Sequence, residues 1–507
     1  MRRINQDFLT RNRGLSVVFL WLLLSVSPLN AQDFAWTPGL QRAYADLQKG
    51  RLIPARQILT QETAQNGIRL FVDDYADMLL LVTSDDDRLF AQLSHREAER
   101  IDALELMDDT SPWQRVLLAE VRLHWAFAKL KSGKETSASW DVIRAYRLLT
   151  DNQKRFPDFL PTYKSLGTLH VLIGSVPDSY AWVAKLLGLR GSIGQGQREI
   201  NRAQQDAVFG LEARLIDLLV RAYVVQFTDA DERVLQQLIR ENPDNLLLHF
   251  FAATTEQKQG RSEQALAYLS RRPTSSDYVP MSIIDNILGD IYLQKGQYAT
   301  ATTYFRRFLS QYKGRNFLKD TRYKLFLCHW LADKNAGVSD AEGRALLEQV
   351  TRVGRTSVES DKAAQRFAEV YLKQGASANQ KVLMRARLAT DGGFTDSALA
   401  FLQPYTEARF ATLTERAEYN YRLGRIYQRR NDPNSAMPYL SRALALTDTP
   451  AGRQQELSFG ASAALQLGYI HQQKNDRTRA RSFFQKALSF KRHEYKNSID
   501  NKARAAL

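Results

Sequence analysis

Apolar residues recur at helical spacing along almost the whole chain. From Gln32 onward they follow the three-to-four-residue period of an amphipathic helix, and no sustained alternating pattern indicates a strand. Most prolines, such as Pro157 and Pro243, lie between these periodic segments, where a proline commonly begins or ends a helix. One stretch departs from the pattern, because residues 15–26 form a continuous apolar run. The pattern therefore predicts an all-α protein that is preceded by a short apolar segment.

Three of the helical segments align with one another without gaps. In each, a Leu-Gly pair is followed by an aromatic residue or histidine, and then by an alanine and a large apolar residue. The positions are Leu288, Gly289, Tyr292, Ala301 and Phe305; Leu423, Gly424, Tyr427, Ala436 and Leu440; and Leu467, Gly468, His471, Ala480 and Phe484. The Leu-to-Ala interval is 13 residues every time. Small residues permit two helices to cross closely, and the large residues fill the space around the crossing. The spacing therefore predicts repeated helical hairpins.

These residues resemble the tetratricopeptide repeat, a helix-turn-helix unit of ~34 residues. One such hairpin cannot bury its apolar face alone, so the resemblance implies a stack of hairpins wound into a right-handed superhelix, an all-α α-solenoid. Weaker copies begin at Gly50, Gly260 and Gly393, each with an alanine five residues later. We predict five segments: a signal peptide at 1–31, N-terminal helical hairpins at 32–155, a Gly-rich helical insert at 156–206, central repeats at 207–410 and C-terminal repeats with a basic end at 411–507.

The Gly-rich insert has a pattern of its own. It carries Gly167, Gly174, Pro177, the run Leu186-Leu187-Gly188-Leu189, Gly191, Gly196 and Ala203. Here the chain resembles the tetratricopeptide repeat protein 39 group of eukaryotes, which implies a helical fold and a role in organising other molecules, without a catalytic motif. Glycines at 191, 194 and 196 could suggest a phosphate loop, but a dinucleotide fingerprint has the reverse spacing and follows a strand. We interpret them as a tight turn between helices.

The N-terminal segment predicts export. Arg2, Arg3, Arg11 and Arg13 precede the apolar run, and the small residue Ala31 follows it. The run is about 12 residues long, and a membrane-spanning helix needs ~20. We therefore predict a cleaved signal peptide and a periplasmic or cell-envelope protein, and an uncleaved anchor is the alternative. Because Cys328 is the only cysteine, no lipidated cysteine follows the signal, so the protein is not expected to be a lipoprotein.

Composition and motifs argue against catalysis. Hydrophobic residues make up 44% and charged residues 25%, which excludes a polytopic membrane protein and a largely disordered chain. A single cysteine excludes an internal disulfide and a cysteine-based zinc site, and no two histidines have the spacing of a helical metal pair. Cys328 and His329 are adjacent and would point apart on a helix, so we interpret Cys328 as a buried thiol. We predict a non-enzymatic protein without a metal ion or cofactor.

The repeats also predict where a partner would bind. In stacked hairpins the first helix of each repeat lines the concave groove, and seven groove-facing positions carry side chains suited to binding. They are Asn286, Tyr421, Arg425, Gln428, Arg429, Tyr469 and Gln472. Tyr421, Arg425 and Arg429 share one helix stripe, and tyrosine and arginine are enriched at binding hot spots. We predict an exported scaffold that binds proteins or peptides through this groove. An ordinary solvated helix face is the alternative.

The charge of the chain is concentrated at its C-terminal end. The net charge is +15, and residues 471–507 contain ten Lys or Arg against three Asp or Glu. A solvated capping helix, an anionic membrane surface or envelope polymer, and nucleic acid would each fit this charge. The predicted signal peptide argues against nucleic acid. The alternative function is therefore a lipid- or envelope-polymer-associated organiser that uses the Gly-rich segment and the basic end. The sequence does not predict the oligomeric state.

Overall fold

The computed structural model describes residues 33–62, 65–176, 186–332 and 340–507. Within these ranges the regular structure is helical, apart from one isolated bridge between Arg51 and Tyr278. The prediction of an all-α α-solenoid is confirmed. The predicted signal peptide lies outside the described residues, as does Pro177. No helix in the described ranges combines the length and apolarity needed to cross a bilayer.

The helices of the first half follow one another with short connections. They are α1 Pro38–Gln48, α2 Leu52–Gln61, α3 Gly67–Ser84, α4 Asp87–Leu93, α5 His95–Glu105, α6 Pro112–Lys131, α7 Glu135–Arg155, α8 Pro161–Gly174, α9 Ile193–Ala203, α10 Gly210–Tyr223, α11 Asp229–Glu241, α12 Leu246–Lys258 and α13 Ser262–Ser270.

The second half continues the array as far as the C-terminal end. Its helices are α14 Ile283–Gln294, α15 Tyr298–Gln311, α16 Leu318–Ala332, α17 Ala341–Arg352, α18 Glu359–Gln374, α19 Ala378–Gly392, α20 Thr395–Leu402, α21 Leu413–Arg429, α22 Pro433–Thr447, α23 Pro450–Gln454, α24 Ser458–Gln473, α25 Arg477–Leu488 and α26 Lys496–Ala505.

Local sequence signals fix where many of these helices begin and where hairpins turn. Thr228, Ser377 and Thr412 each form a capping box, in which the side chain of the cap and that of the third helical residue satisfy each other's backbone N–H groups. Gly260 and Gly393 adopt φ of +69° and +85°, a region that favours glycine, at two of the predicted turns.

The glycine of each aligned repeat lies where its two helices cross. A Cβ added to Gly289 would approach the ring of Phe305 to 2.5 Å, and one added to Gly424 would approach Leu440 to 2.6 Å. In the third repeat Phe484 covers Gly468 in the same way. The alanines of the motif, such as Ala301 and Ala436, are fully buried. The large apolar residue therefore packs directly on the glycine of its own hairpin.

The Gly-rich insert differs from the predicted turn. Gly194 and Gly196 lie inside α9, which begins after Ser192. Helix α9 crosses α8 at a short interhelical distance. A Cβ on Gly167 would lie 2.8 Å from the carbonyl oxygen of Gly196, so backbone meets backbone at the crossing. The interpretation of Gly194 and Gly196 as part of a tight turn is corrected, because both lie in α9 and Gly196 serves its close crossing with α8. The described part of the insert is thus another helical hairpin.

Contacts between distant parts of the chain join successive portions of the superhelix. Asn316 Nδ2 donates to both carboxylate oxygens of Asp85, at 3.1 and 2.9 Å, and to the carbonyl of Lys131 at 2.9 Å. Lys49 forms an ion pair of 2.7 Å with Asp244. These contacts hold the N-terminal hairpins against the middle of the array.

Candidate functional site

A cavity of about 670 Å³ lies between α14, α16, α18, α19 and the C-terminal segment 493–498. The helices come from successive hairpins, so the cavity is a product of stacking and not of any single repeat. Its wall combines carboxylates, cations and apolar side chains such as Leu327 and Met384. It is larger than a second cavity of about 590 Å³ beside Tyr278 and Arg307, and it is the candidate binding site.

One lysine ties together the acidic side of the cavity. Lys324 Nζ lies 2.7 Å from Asp290 Oδ1 and 2.6 Å from Asp320 Oδ2. Burial raises the pKa of Asp290 to about 6, against the opposing attraction of Lys324. Asp290 is therefore sensitive to any ligand that brings a charge into the cavity.

Arg387 supplies the main cation that faces the open space. Its side chain is 38% exposed, and its Nε lies 3.7 Å from Asp391 on the next turn of α19. Tyr323 lies at the same wall, with its ring 4.5 Å from that of Phe367. Arg387 and Tyr323 together offer a hydrogen-bonding cation beside an aromatic surface, which is the composition of a binding hot spot.

The chain's own C-terminal segment lies at the cavity. Glu494 of this segment accepts from Arg366 Nη2 on α18 at 2.9 Å, which fastens the segment across the groove. Burial and the nearby Lys496 lower the pKa of His493, and neither of its ring nitrogens has a hydrogen-bond partner within the described structure. The segment therefore covers the cavity while leaving unused hydrogen-bonding capacity.

The seven predicted groove residues lie elsewhere, although three neighbours from the first repeat line the cavity. Those three are Asp290, Leu293 and Gln294, which lie on the same helix as Asn286. Asn286 is buried and donates to Thr321 on α16. Gln472 is exposed on α24. The role of these seven residues in binding stays a prediction.

The aromatic members of the predicted set are partly used in packing. Tyr421 lies 5.7 Å from the ring of Phe459, and Tyr469 lies 5.4 Å from that of Phe484. Burial raises the pKa of Tyr469 to about 12. Both tyrosines are half-buried, so each keeps only part of its surface for a partner.

The basic members of the set lie together with a glutamine. Arg425 Nη1 donates to Gln466 Oε1 at 2.7 Å and to Gln428 Oε1 at 2.5 Å. Arg429 Nη1 donates to the carbonyl oxygens of Gln259 and Gly260, both at 3.0 Å. Arg429 therefore joins α21 to the end of α12, about 170 residues earlier in the chain.

The repeat pattern in the sequence does not predict the side chains that define the cavity. Tyr323, Lys324 and Arg387 lie on α16 and α19, which carry no complete repeat motif. A signal was present, because the apolar pattern marks Tyr323–Leu331 as a first helix of a hairpin and Ala386 as its small residue in a later copy.

A second polar cluster, in the N-terminal half, is already satisfied internally. Lys164 Nζ lies 2.8 Å from Glu120 and 2.9 Å from Glu212, and the hydroxyls of Tyr44 and Tyr75 donate to Glu212. Lys164, Tyr44 and Tyr75 are buried in the core. Since these groups bond one another, the cluster stabilises the fold and offers no free group to a ligand.

The prediction that Cys328 is a buried thiol is confirmed, and His471 of the third aligned segment is buried as well. Cys328 is buried, and burial raises the pKa of its thiol to about 12, which keeps it protonated and unreactive. His471 is buried between helices and stacks on Phe483 with ring centroids 5.3 Å apart. In the described ranges, no group of three or more His, Cys, Asp or Glu is arranged to hold a metal ion.

A search of curated proteins finds no match, and the resemblance to the tetratricopeptide repeat protein 39 group stays a prediction. Among solved structures, the human IFIT1 dimer with PPP-AAAA is similar at 12% identity and a TM-score of 0.28, covering 90% of this chain and 95% of that one. The human IFIT1 dimer with m7Gppp-AAAA gives the same identity and TM-score, covering 90% and 96%.

A sequence model described as the tetratricopeptide repeat matches the chain at residues 286–313, 417–449 and 461–494. These ranges contain the three aligned segments, whose glycines lie at the helix crossings described above. The chain therefore carries tetratricopeptide repeats at these three places.

Proposed function

We propose that this protein is an exported, non-enzymatic scaffold of the cell envelope that binds a protein or peptide partner in its concave groove. The observation that carries the proposal is the cavity of about 670 Å³ between α14, α16, α18 and α19. It is formed by stacked helices, it contains both signs of charge, and a segment of polypeptide from the same chain already lies against it.

The chemistry of the wall suits a peptide. Tyr323 provides an aromatic surface, Arg387 a cation with several donors, and Asp290 a carboxylate, so a ligand with mixed side chains would find a partner for each. The helices are stacked before binding, which lowers the entropy cost of ordering the site. The proposed export rests on the basic and apolar pattern of residues 1–31.

The proposal is tested by filling the cavity. Peptides selected from a displayed library on the full chain are measured against Ser360→Trp, which places an indole at the cavity wall on α18. The matched control is Lys373→Trp, at an exposed position of the same helix that does not line the cavity. We expect Ser360→Trp to weaken binding at least about tenfold and Lys373→Trp to leave it within about twofold.

Equal binding by wild type and Ser360→Trp would place the peptide site elsewhere and contradict the proposal.

The preparation of the protein also tests export. When the full-length gene is expressed in a bacterium, the recovered protein is expected in the envelope fraction with a mass that corresponds to a start at Gln32. Recovery of the uncleaved chain from the cytosol would contradict export.

A further inference from the structure

Four cations from three separate helices lie near one another. Lys258 ends α12, Arg425 and Arg429 share one stripe of α21, and Lys502 lies on α26. The bonds from Arg429 to the carbonyls of Gln259 and Gly260 fix α21 against the end of α12. Lys502 is within range of direct charge repulsion from both Lys258 and Arg425.

These cations lack the acidic partners that two largely enclosed lysines of the chain possess. Lys164 and Lys324 each lie between two carboxylates. In contrast, none of the four forms an ion pair with an Asp or Glu of the described residues. The Nε of Arg429 is also buried without an acceptor in that part of the structure.

The crowding has a measurable consequence for the four groups. Burial, together with the charges of Lys258 and Arg425, lowers the pKa of Lys502 to about 8. Burial and the neighbouring Arg425 lower the pKa of Arg429 to about 10. A bound anion would relieve both the repulsion and the lost hydration, because it supplies the missing opposite charge.

The charges that line the adjoining cavity of about 670 Å³ determine which kind of anion can bind at the four cations. Ser498 lines that cavity and lies one helical turn before Lys502, so the cations continue its wall. The cavity itself has more acidic than basic side chains, with Asp320, Glu359 and Asp391 among the acidic ones. A nucleic acid carries a negative charge at every step and would be repelled there. A peptide can place acidic residues at the cations and basic or neutral residues in the cavity.

We propose that Lys258, Arg425, Arg429 and Lys502 form a subsite that binds the carboxylate side chains of an acidic segment in the protein partner. This inference rests on the proposed function, since it names the chemistry of the partner that the groove accepts. Arg429 holds the subsite together, and Lys258, Arg425 and Lys502 supply its accessible charges.

The test uses the full chain and a fluorescein-labelled hexaglutamate peptide, with binding followed by fluorescence anisotropy. The variant is Lys258→Gln/Lys502→Gln, because neither lysine makes a hydrogen bond within the described structure and the fold should be retained. The matched control is Arg477→Gln/Arg481→Gln, which removes the same charge from exposed positions of α25. We expect the lysine variant to lose at least about tenfold in affinity and the control less than about twofold.

Two further probes separate the alternatives. If oligothymidylate of matched charge binds more tightly than hexaglutamate, and loses that binding in the lysine variant, the subsite serves nucleic acid and the inference is wrong. Equal loss of hexaglutamate binding in the lysine variant and the control would show general attraction to a basic surface, which also overturns it. If the binding of a library peptide is lost in Ser360→Trp but retained in Lys258→Gln/Lys502→Gln, the proposed function stands and only this inference is wrong.

Discussion

At the scale of single residues, Asp290 links the binding cavity to pH. Burial raises its pKa from the ordinary value of 3.8 to about 6, so between those values the folded protein holds a proton that the unfolded chain has released. The free energy of unfolding must therefore fall as the pH rises from about 4 to about 6 and then stay level with respect to this group. Two pKa units correspond to about 3 kcal/mol.

Asp290→Asn is expected to remove this pH dependence. Between pH 4.5 and 7.5, the thermal midpoint of wild type should fall relative to that of the variant, because only wild type acquires the buried charge. Asp396→Asn, at an exposed carboxylate paired with Arg430, is the control and should follow wild type at both pH values. A constant difference between wild type and Asp290→Asn across this range would mean that the carboxyl ionises without a penalty.

Residues with a packing role could be predicted from the sequence, and residues with a site role could not. Gly289, Gly424 and Gly468 each meet a large side chain of their own hairpin. The same packing requirement therefore selects glycine at the same position of each aligned segment. Arg387 has no such constraint. Its role depends on which helices become neighbours after stacking. No repeated residue pattern in a single sequence records that arrangement.

At the scale of helices, the crossing of α8 and α9 is the closest contact between elements in the Gly-rich insert. At Gly196 an added Cβ would collide with the carbonyl oxygen of Gly167 and with Val171. Backbone atoms cannot turn aside as a flexible side chain can, so the two helices would have to separate. The sequence showed that these glycines mattered but not why, because a turn and a close crossing both require small residues.

Gly196→Ala is expected to destabilise this hairpin by about 2–4 kcal/mol, even though alanine is the better helix former. Gly194→Ala is a control on the same helix, since its Cβ would meet only the Arg198 guanidinium at 3.7 Å and should cost nothing. Hydrogen exchange in α8 and α9 measures the difference. Equal protection in the two variants would mean that the crossing can widen freely.

At the scale of the whole molecule, Asp85 connects parts of the chain that lie more than 220 residues apart. It ends α3 with φ of +54°, and its carboxylate accepts from Tyr312 and Asn316 in the segment between α15 and α16. The repeat pattern predicts that neighbouring hairpins stack, but a contact between distant hairpins depends on the accumulated curvature of the array. From the sequence alone, the acidic run at Asp85 therefore predicts only a solvated turn or a helix cap. The second role is correct for Asp86, which caps α4.

Replacing Asp85 is expected to separate these parts while leaving the individual hairpins folded. Asp85→Ala removes the carboxylate and keeps the strained backbone, whereas Asp85→Gly removes the carboxylate and relieves the strain. Loss of a buried, hydrogen-bonded carboxylate costs about 2–4 kcal/mol, so both variants should lose hydrogen-exchange protection between residues 312 and 321 and increase the radius of gyration in solution scattering. Asp396→Ala, which removes an exposed carboxylate, should change neither. If only Asp85→Ala opens the molecule, backbone strain is responsible; if neither variant does, the hairpins hold their curvature without this contact, and stacking of neighbours alone determines the shape of the groove.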